Sequence, residues 1–174
     1  MHRLSLFAIL ATCSLATAQT NTTSVADVGL TIDGGVLTVS FGQACGPFSC
    51  RPFPAGQVGP TTTSTRARTV TVHGAPNSVY VLGVSQAPLA TPCTTVPGIG
   101  NALILGQPIT LLAFGVTSAG GPVSSTACRQ GQGTFVLNVP NTVPSGFTFL
   151  LQALATSATT GGPAFTVALQ GSVR

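Results

Sequence analysis

The chain has no lysine, no glutamate and no tryptophan, and its only acids are Asp27 and Asp33. Each gap removes a class of function. Without lysine, the clustered basic surface that tracks a phosphate backbone is missing, which excludes nucleic acid as a partner. Arg51, Arg66 and Arg68 fall close together but read as solvated loop residues. With Tyr80 as the only tyrosine, there is no platform for stacking sugars and no aromatic girdle of an outer-membrane barrel. Disorder is excluded on the opposite ground. Charged residues make up 5% of the chain and hydrophobic ones 44%, whereas disordered segments are kept open by charge and low hydrophobicity.

What is present begins with an address. The first 18 residues, "MHRLSLFAILATCSLATA", join a basic start at Arg3, an apolar run and a small-residue exit, the pattern of a secretory signal peptide cleaved after Ala18. The apolar run is shorter than the roughly 20 residues that span a bilayer, so no transmembrane segment is expected in the mature chain. Residues 19–174 then form a single domain with a net charge of +3, five arginines less two aspartates. Cys13 leaves with the leader. Cys45, Cys50, Cys93 and Cys128 form an even set in an exported chain and read as two disulfides with three possible connectivities. Closing the sequence-local pairs favours Cys45 with Cys50 and Cys93 with Cys128.

Beyond the leader, β-branched residues dominate the apolar runs and charged helix formers are missing, so strands are expected throughout. Val28, Leu30 and Ile32 alternate with polar or small residues, as do Leu37, Val39 and Phe41. A hairpin over Gly34 and Gly35 sets Leu30 against Val39. One over Asp33 and Gly34 slips the partners by two residues and keeps the same face inward. Residues 42–68, with four prolines and no sustained period, read as a long stapled loop. A second hairpin is expected over residues 69–85 with its turn at 74–77, and further strands at 108–116, 134–139, 147–155 and 164–170, with "NALIL" as another candidate. About seven or eight short strands with turn signals between them indicate an all-β, antiparallel β-sandwich, disulfide-stapled.

Catalytic chemistry finds little to use. The carboxyl pair of a glycosidase sits roughly 5 to 9.5 Å apart. Asp27 and Asp33 lie on one expected strand, where six steps of about 3.3 Å put roughly 20 Å between them. His73, the only histidine outside the leader, would have to serve any secreted hydrolase that uses a serine and an aspartate. No G-x-S-x-G elbow occurs, the nearest approach being "GVSQA" around Ser85. His73 ends a strand on the face opposite Val70 and Val72, where a solvated imidazole is expected. The cysteines show no C-x-x-C spacing, so neither a zinc site nor thiol redox chemistry is indicated, and no cofactor is expected. Asp33 is expected to shape the turn beside Gly34, a role that needs no charge.

From about residue 40 onward, "FGQAC", "HGAPNSVYVLGVS", Pro92-Cys93, "GTFVLNVPNTVPSGFTFLLQALA" and "AFTVALQGSVR" together resemble uncharacterised secreted β-sandwich modules common in planctomycete-like bacteria. The resemblance implies export and an all-β fold. It carries no activity, ligand or catalytic residue. The function expected is therefore a non-catalytic extracellular or cell-surface role in adhesion, envelope structure or the matrix, with cell-surface or matrix components as partners. The alternatives are the His73 hydrolase and a module that binds glycans through polar loops.

Overall fold

The computed structural model describes residues 25–32, 43–45, 48–58, 67–86, 93–119 and 131–173. Among them the regular elements are all strands. In chain order these are β1 (Gly29–Ile32), β2 (Gln43–Cys45), β3 (Phe53–Val58), β4 (Ala67–Gly74), β5 (Val79–Ser85), β6 (Thr94–Thr95), β7 (Ala102–Leu103), β8 (Thr110–Val116), β9 (Gly131–Asn138), β10 (Thr148–Thr156), β11 (Pro163–Phe165) and β12 (Leu169–Val173). One sheet runs β2-β1-β4-β9 and is antiparallel throughout. The second runs β3-β12-β10-β5-β8, with β11 also on β10, and β6 and β7 form a separate ribbon. The expected all-β sandwich is the fold this chain adopts.

Alternation explains which faces meet. Leu30, Val70 and Val72 point inward from the first sheet, and Tyr80, Leu82, Leu151, Ala153 and Leu169 meet them from the second, all buried in one cluster. Each large side chain so buried contributes about 1.5–3 kcal/mol relative to exposure. At the β8 and β9 side the ring of Tyr80 lies against glycines from both sheets. It is in contact with the space where a Cβ of Gly133 on β9 would sit, and it stands 3.0 Å from that of Gly115 on β8. The missing side chains let an aromatic ring cross between the layers.

A second, smaller cluster covers the other face of the larger sheet. Ile104, Leu105, Leu150 and Ala168 pack there, with Leu103 and Ile109 beside them. Gln152, in the middle of β10 and 3% exposed, anchors this layer. Its Oε1 accepts from the amides of Ile104 (2.8 Å) and Leu105 (3.4 Å), and its Nε2 donates to the carbonyls of Ala102 (2.9 Å) and Thr166 (2.8 Å). Both donors and both lone pairs of the amide are thus used.

Several sequence expectations are corrected by this topology. Leu30 pairs with Ala44 on one side and Val72 on the other, so neither expected register, with Leu30 against Val39 or slipped from it by two residues, is the one adopted. Residues 33–42, with Asp33 and both glycines, lie outside the described residues. The stretch from 42 to 68 contains two whole strands, β2 and β3, and the start of β4, rather than a continuous loop. The second, β3, contains Pro54 and Gly56, and it is the edge strand of its sheet, where proline is tolerated because one side of the strand has no ladder to complete. It runs parallel to β12, the exception in an otherwise antiparallel pairing. The turn before β5 forms as expected, with Asn77 at φ 53°, but it does not close a hairpin. β4 belongs to the first sheet and β5 to the second, so this turn carries the chain between layers. Residues 164–170 divide between β11 and β12.

The disulfide pairing is also corrected. Cys50 is joined to Cys93, 43 residues away, with 5.3 Å between their Cα atoms. That bond rules out both Cys45–Cys50 and Cys93–Cys128. It ties the entry of β3 to the entry of the β6–β7 ribbon, so proximity in the fold and not in the sequence selects the partners. The side chain of Cys45 and all of Cys128 lie outside the described residues.

Candidate functional site

β4 lies between β1 and β9, with Gly29 opposite His73 on one side and Gln132 on the other. His73 does point away from Val70 and Val72. It is not solvated, however, being 2% exposed. Thr31 and Thr71, which share its face of the sheet, are buried as well. The Nε2 of His73 stands 3.0 Å from Oγ1 of Thr31 on β1. Nδ1 is buried with no hydrogen-bond partner among the described residues. Burial pushes the imidazole down to about 4, because the charged form loses its hydration. At neutral pH this histidine is uncharged and a poor proton acceptor, and the hydroxyl it meets belongs to a buried strand threonine.

Asp27 precedes β1 and reaches the turn between β10 and β11. Ser157 Oγ donates to its Oδ1 at 2.8 Å, and the Thr159 amide donates to its Oδ2 at 2.7 Å. Burial raises the carboxyl's proton affinity, but the Thr159 amide and the hydroxyls of Ser157 and Thr159 outweigh it, and the net shift is downward. Ser157 is fully buried, and its Oγ also accepts the amide of Thr160 at 3.0 Å. An aspartate and a serine thus meet, but as a cap on a turn.

One residue that the sequence does not single out completes this anchorage. Asn101, at φ 60°, accepts the amide of Val25 (2.8 Å) and donates to the carbonyls of Val25 (2.9 Å) and Phe165 (2.7 Å). Together Asn101 and Asp27 fasten the segment before β1 to the larger sheet. Among the described residues the structure joins His73 to Thr31 and Asp27 to Ser157, and it does not join these two pairs. No group of three or more His, Cys, Asp or Glu side chains able to hold a metal occurs among the described residues. Arg51 is exposed, as a solvated loop residue is expected to be, Arg68 sits half-buried on β4 and not in a loop, and Arg66 lies outside the described residues.

The feature that does stand open is apolar. β5 reads "VYVLGVS", apolar at both parities. Tyr80 and Leu82 face the core, while Val79 and Val81 face outward. On β8, Val116 stands opposite Val79 and Phe114 opposite Val81. A bulge between Leu82 and Gly83 turns Leu111 to the same outer side. Phe114 is 76% exposed, Val79 64% and Val116 63%. The row continues inward through Leu154, which pairs with Val81 and with Phe165, both within the same sheet. The doubly apolar run in "VYVLGV" is the sequence signal for this face.

No protein-family model matches the chain, and no curated protein sequence is significantly similar to it. The class defined by fold and site is a β-sandwich that draws His73 and Asp27 into its own bonding and exposes an apolar face on β5 and β8.

Proposed function

We propose that the chain is exported by its leader and works outside the cell, at the cell surface or in the matrix, as a non-catalytic β-sandwich with an adhesive or envelope-structural role. The observation that carries this reading is the outward apolar face of β5 and β8. Large side chains exposed side by side at a sheet edge mark interaction surfaces in soluble proteins, where isolated ones do not. The Cys50–Cys93 disulfide supports export, since such bonds persist in oxidising compartments. Among the described residues no helix is long and apolar enough to cross a membrane.

The bonding of His73 to Thr31 and of Asp27 to Ser157 supports a structural role for both ionisable groups. Treating the purified chain with a serine-directed fluorophosphonate and mapping the products by mass spectrometry tests this. No serine is expected to react specifically. A single labelled serine, with labelling lost in His73→Ala, would overturn the reading in favour of a hydrolase.

A further inference from the structure

We propose a second disulfide, between Cys45 and Cys128, that ties together the two outer strands of the first sheet, β2 and β9. The proposal rests on the export reading for its oxidising compartment and goes beyond it in naming the bond.

Four observations lead there. First, Cys50–Cys93 uses two of the four cysteines outside the leader and leaves Cys45 and Cys128 as the one remaining pair. An even set in an exported chain pairs off. Second, the ladder brings the two positions toward one row at one end of the sheet. Cys45 on β2 stands opposite Gly29, Gly29 opposite His73, and His73 opposite Gln132 on β9. Cys128 precedes Gly131, the first residue of β9, by three positions in the sequence.

Third, the reach suffices. Neighbouring strands lie about 4.8 Å apart, so the three steps from Cys45 to Gln132 put roughly 14 Å between their Cα atoms. The four residue steps from Gln132 back to Cys128 can cover up to about 13 Å, and a disulfide closes a further Cα separation of about 5.5 Å. Together these exceed the gap. Fourth, strand order separates Cys45 from its neighbour in the sequence. Cys45 ends β2 in the first sheet, and Cys50 leads into β3 in the second. The chain changes layers between them, and a bond on each side of the crossing holds each end in its own sheet.

Forming the bond removes one proton from each thiol and passes two electrons to a disulfide oxidant, which leaves as two thiols. The gain falls on β2. That strand has three residues, and a covalent tie fixes an edge that so short a ladder holds weakly.

Non-reducing peptide mapping of the purified chain, reduced and then reoxidised in a glutathione buffer, reads the pairing. Cleavage after Phe48 separates Cys45 from Cys50. The Cys45 peptide is expected to be joined to the Cys128 peptide, with neither residue free to alkylate. In a Cys45→Ser, Cys128→Ser variant, hydrogen exchange is expected to quicken in β2 and at the start of β9, and to stay unchanged in β10 and β12. Alkylated Cys45 and Cys128, a Cys45 link between two molecules, or a variant that exchanges like its parent in β2 would overturn the proposal. A chain recovered from its producing cells with all four thiols free, yet joining Cys45 to Cys128 on reoxidation, would end the export reading and leave the bond standing.

Discussion

Thr31 and His73 meet across neighbouring strands, with Oγ1 and Nε2 3.0 Å apart and both side chains almost wholly withdrawn from solvent. A histidine held this way ties stability to pH. Its proton affinity is about 4 in the fold and 6.5 in the unfolded chain, so between those values the unfolded chain binds the extra proton. The stabilisation is full above pH 6.5 and is lost as pH falls toward 4, by roughly 3 kcal/mol in all. Urea unfolding at stepped pH is expected to show this slope, and His73→Leu is expected to flatten it.

Asp27 titrates lower and holds a different contact. Its carboxyl is depressed below 3.8, so its contribution is present above that value and disappears as pH falls through the folded value. Removing it by Asp27→Ala leaves the Ser157 hydroxyl and the Thr159 amide without their acceptor, at a cost of about 1–3 kcal/mol. A double-mutant cycle with Ser157→Ala is expected to give a coupling above about 0.5 kcal/mol, as contacting partners do. Additive effects would mean that the two side chains act separately.

Gln152 makes four side-chain hydrogen bonds from the middle of the larger sheet. Gln152→Leu fits the apolar surroundings but strands the amide of Ile104 and the carbonyls of Ala102 and Thr166. Because each buried group left unpaired costs about 1–3 kcal/mol, the variant is expected to lose at least 3 kcal/mol. Limited proteolysis is expected to cut within residues 101–109 first, since that layer loses its anchor.

The disulfide can be read chemically. Non-reducing peptide mapping is expected to recover Cys50 linked to Cys93. On the loop-entropy account a closed loop of this length contributes about 4 kcal/mol. Cys50→Ser is expected to lower the unfolding free energy by that order, and a variant as stable as its parent would show that the cross-link constrains little.

Much of the sandwich is legible in the sequence, because alternation in Val70 and Val72, or in Phe149 and Leu151, states which side of a strand is buried. What alternation cannot state is the neighbour. β4 and β5 are joined by a tight turn and look like a hairpin, yet their inward faces oppose each other across the core, which local pattern does not distinguish from lying side by side. Proline and glycine hid β3, since only its position at the sheet edge makes them acceptable. Asn101 and Gln152 are lone amides in apolar runs, and their partners lie up to 76 and 50 residues away. Composition likewise shows that His73 has little chemistry around it, but alternation puts it on the face away from Val70 and Val72 without saying whether that face is covered, and in the fold it is buried.

The central claim is that this chain acts through an apolar face and not through its charges. Binding of the purified chain to isolated cell envelopes, measured across rising salt for the parent and for a Phe114→Ser, Val116→Ser variant, tests it most directly. Exposed charges are screened beyond about 8 Å at physiological salt, whereas apolar contact is not weakened by screening. Binding by the parent is expected to be insensitive to salt and to be lost in the variant at unchanged stability. A variant that binds like its parent, or parental binding that collapses as salt rises, would contradict the account.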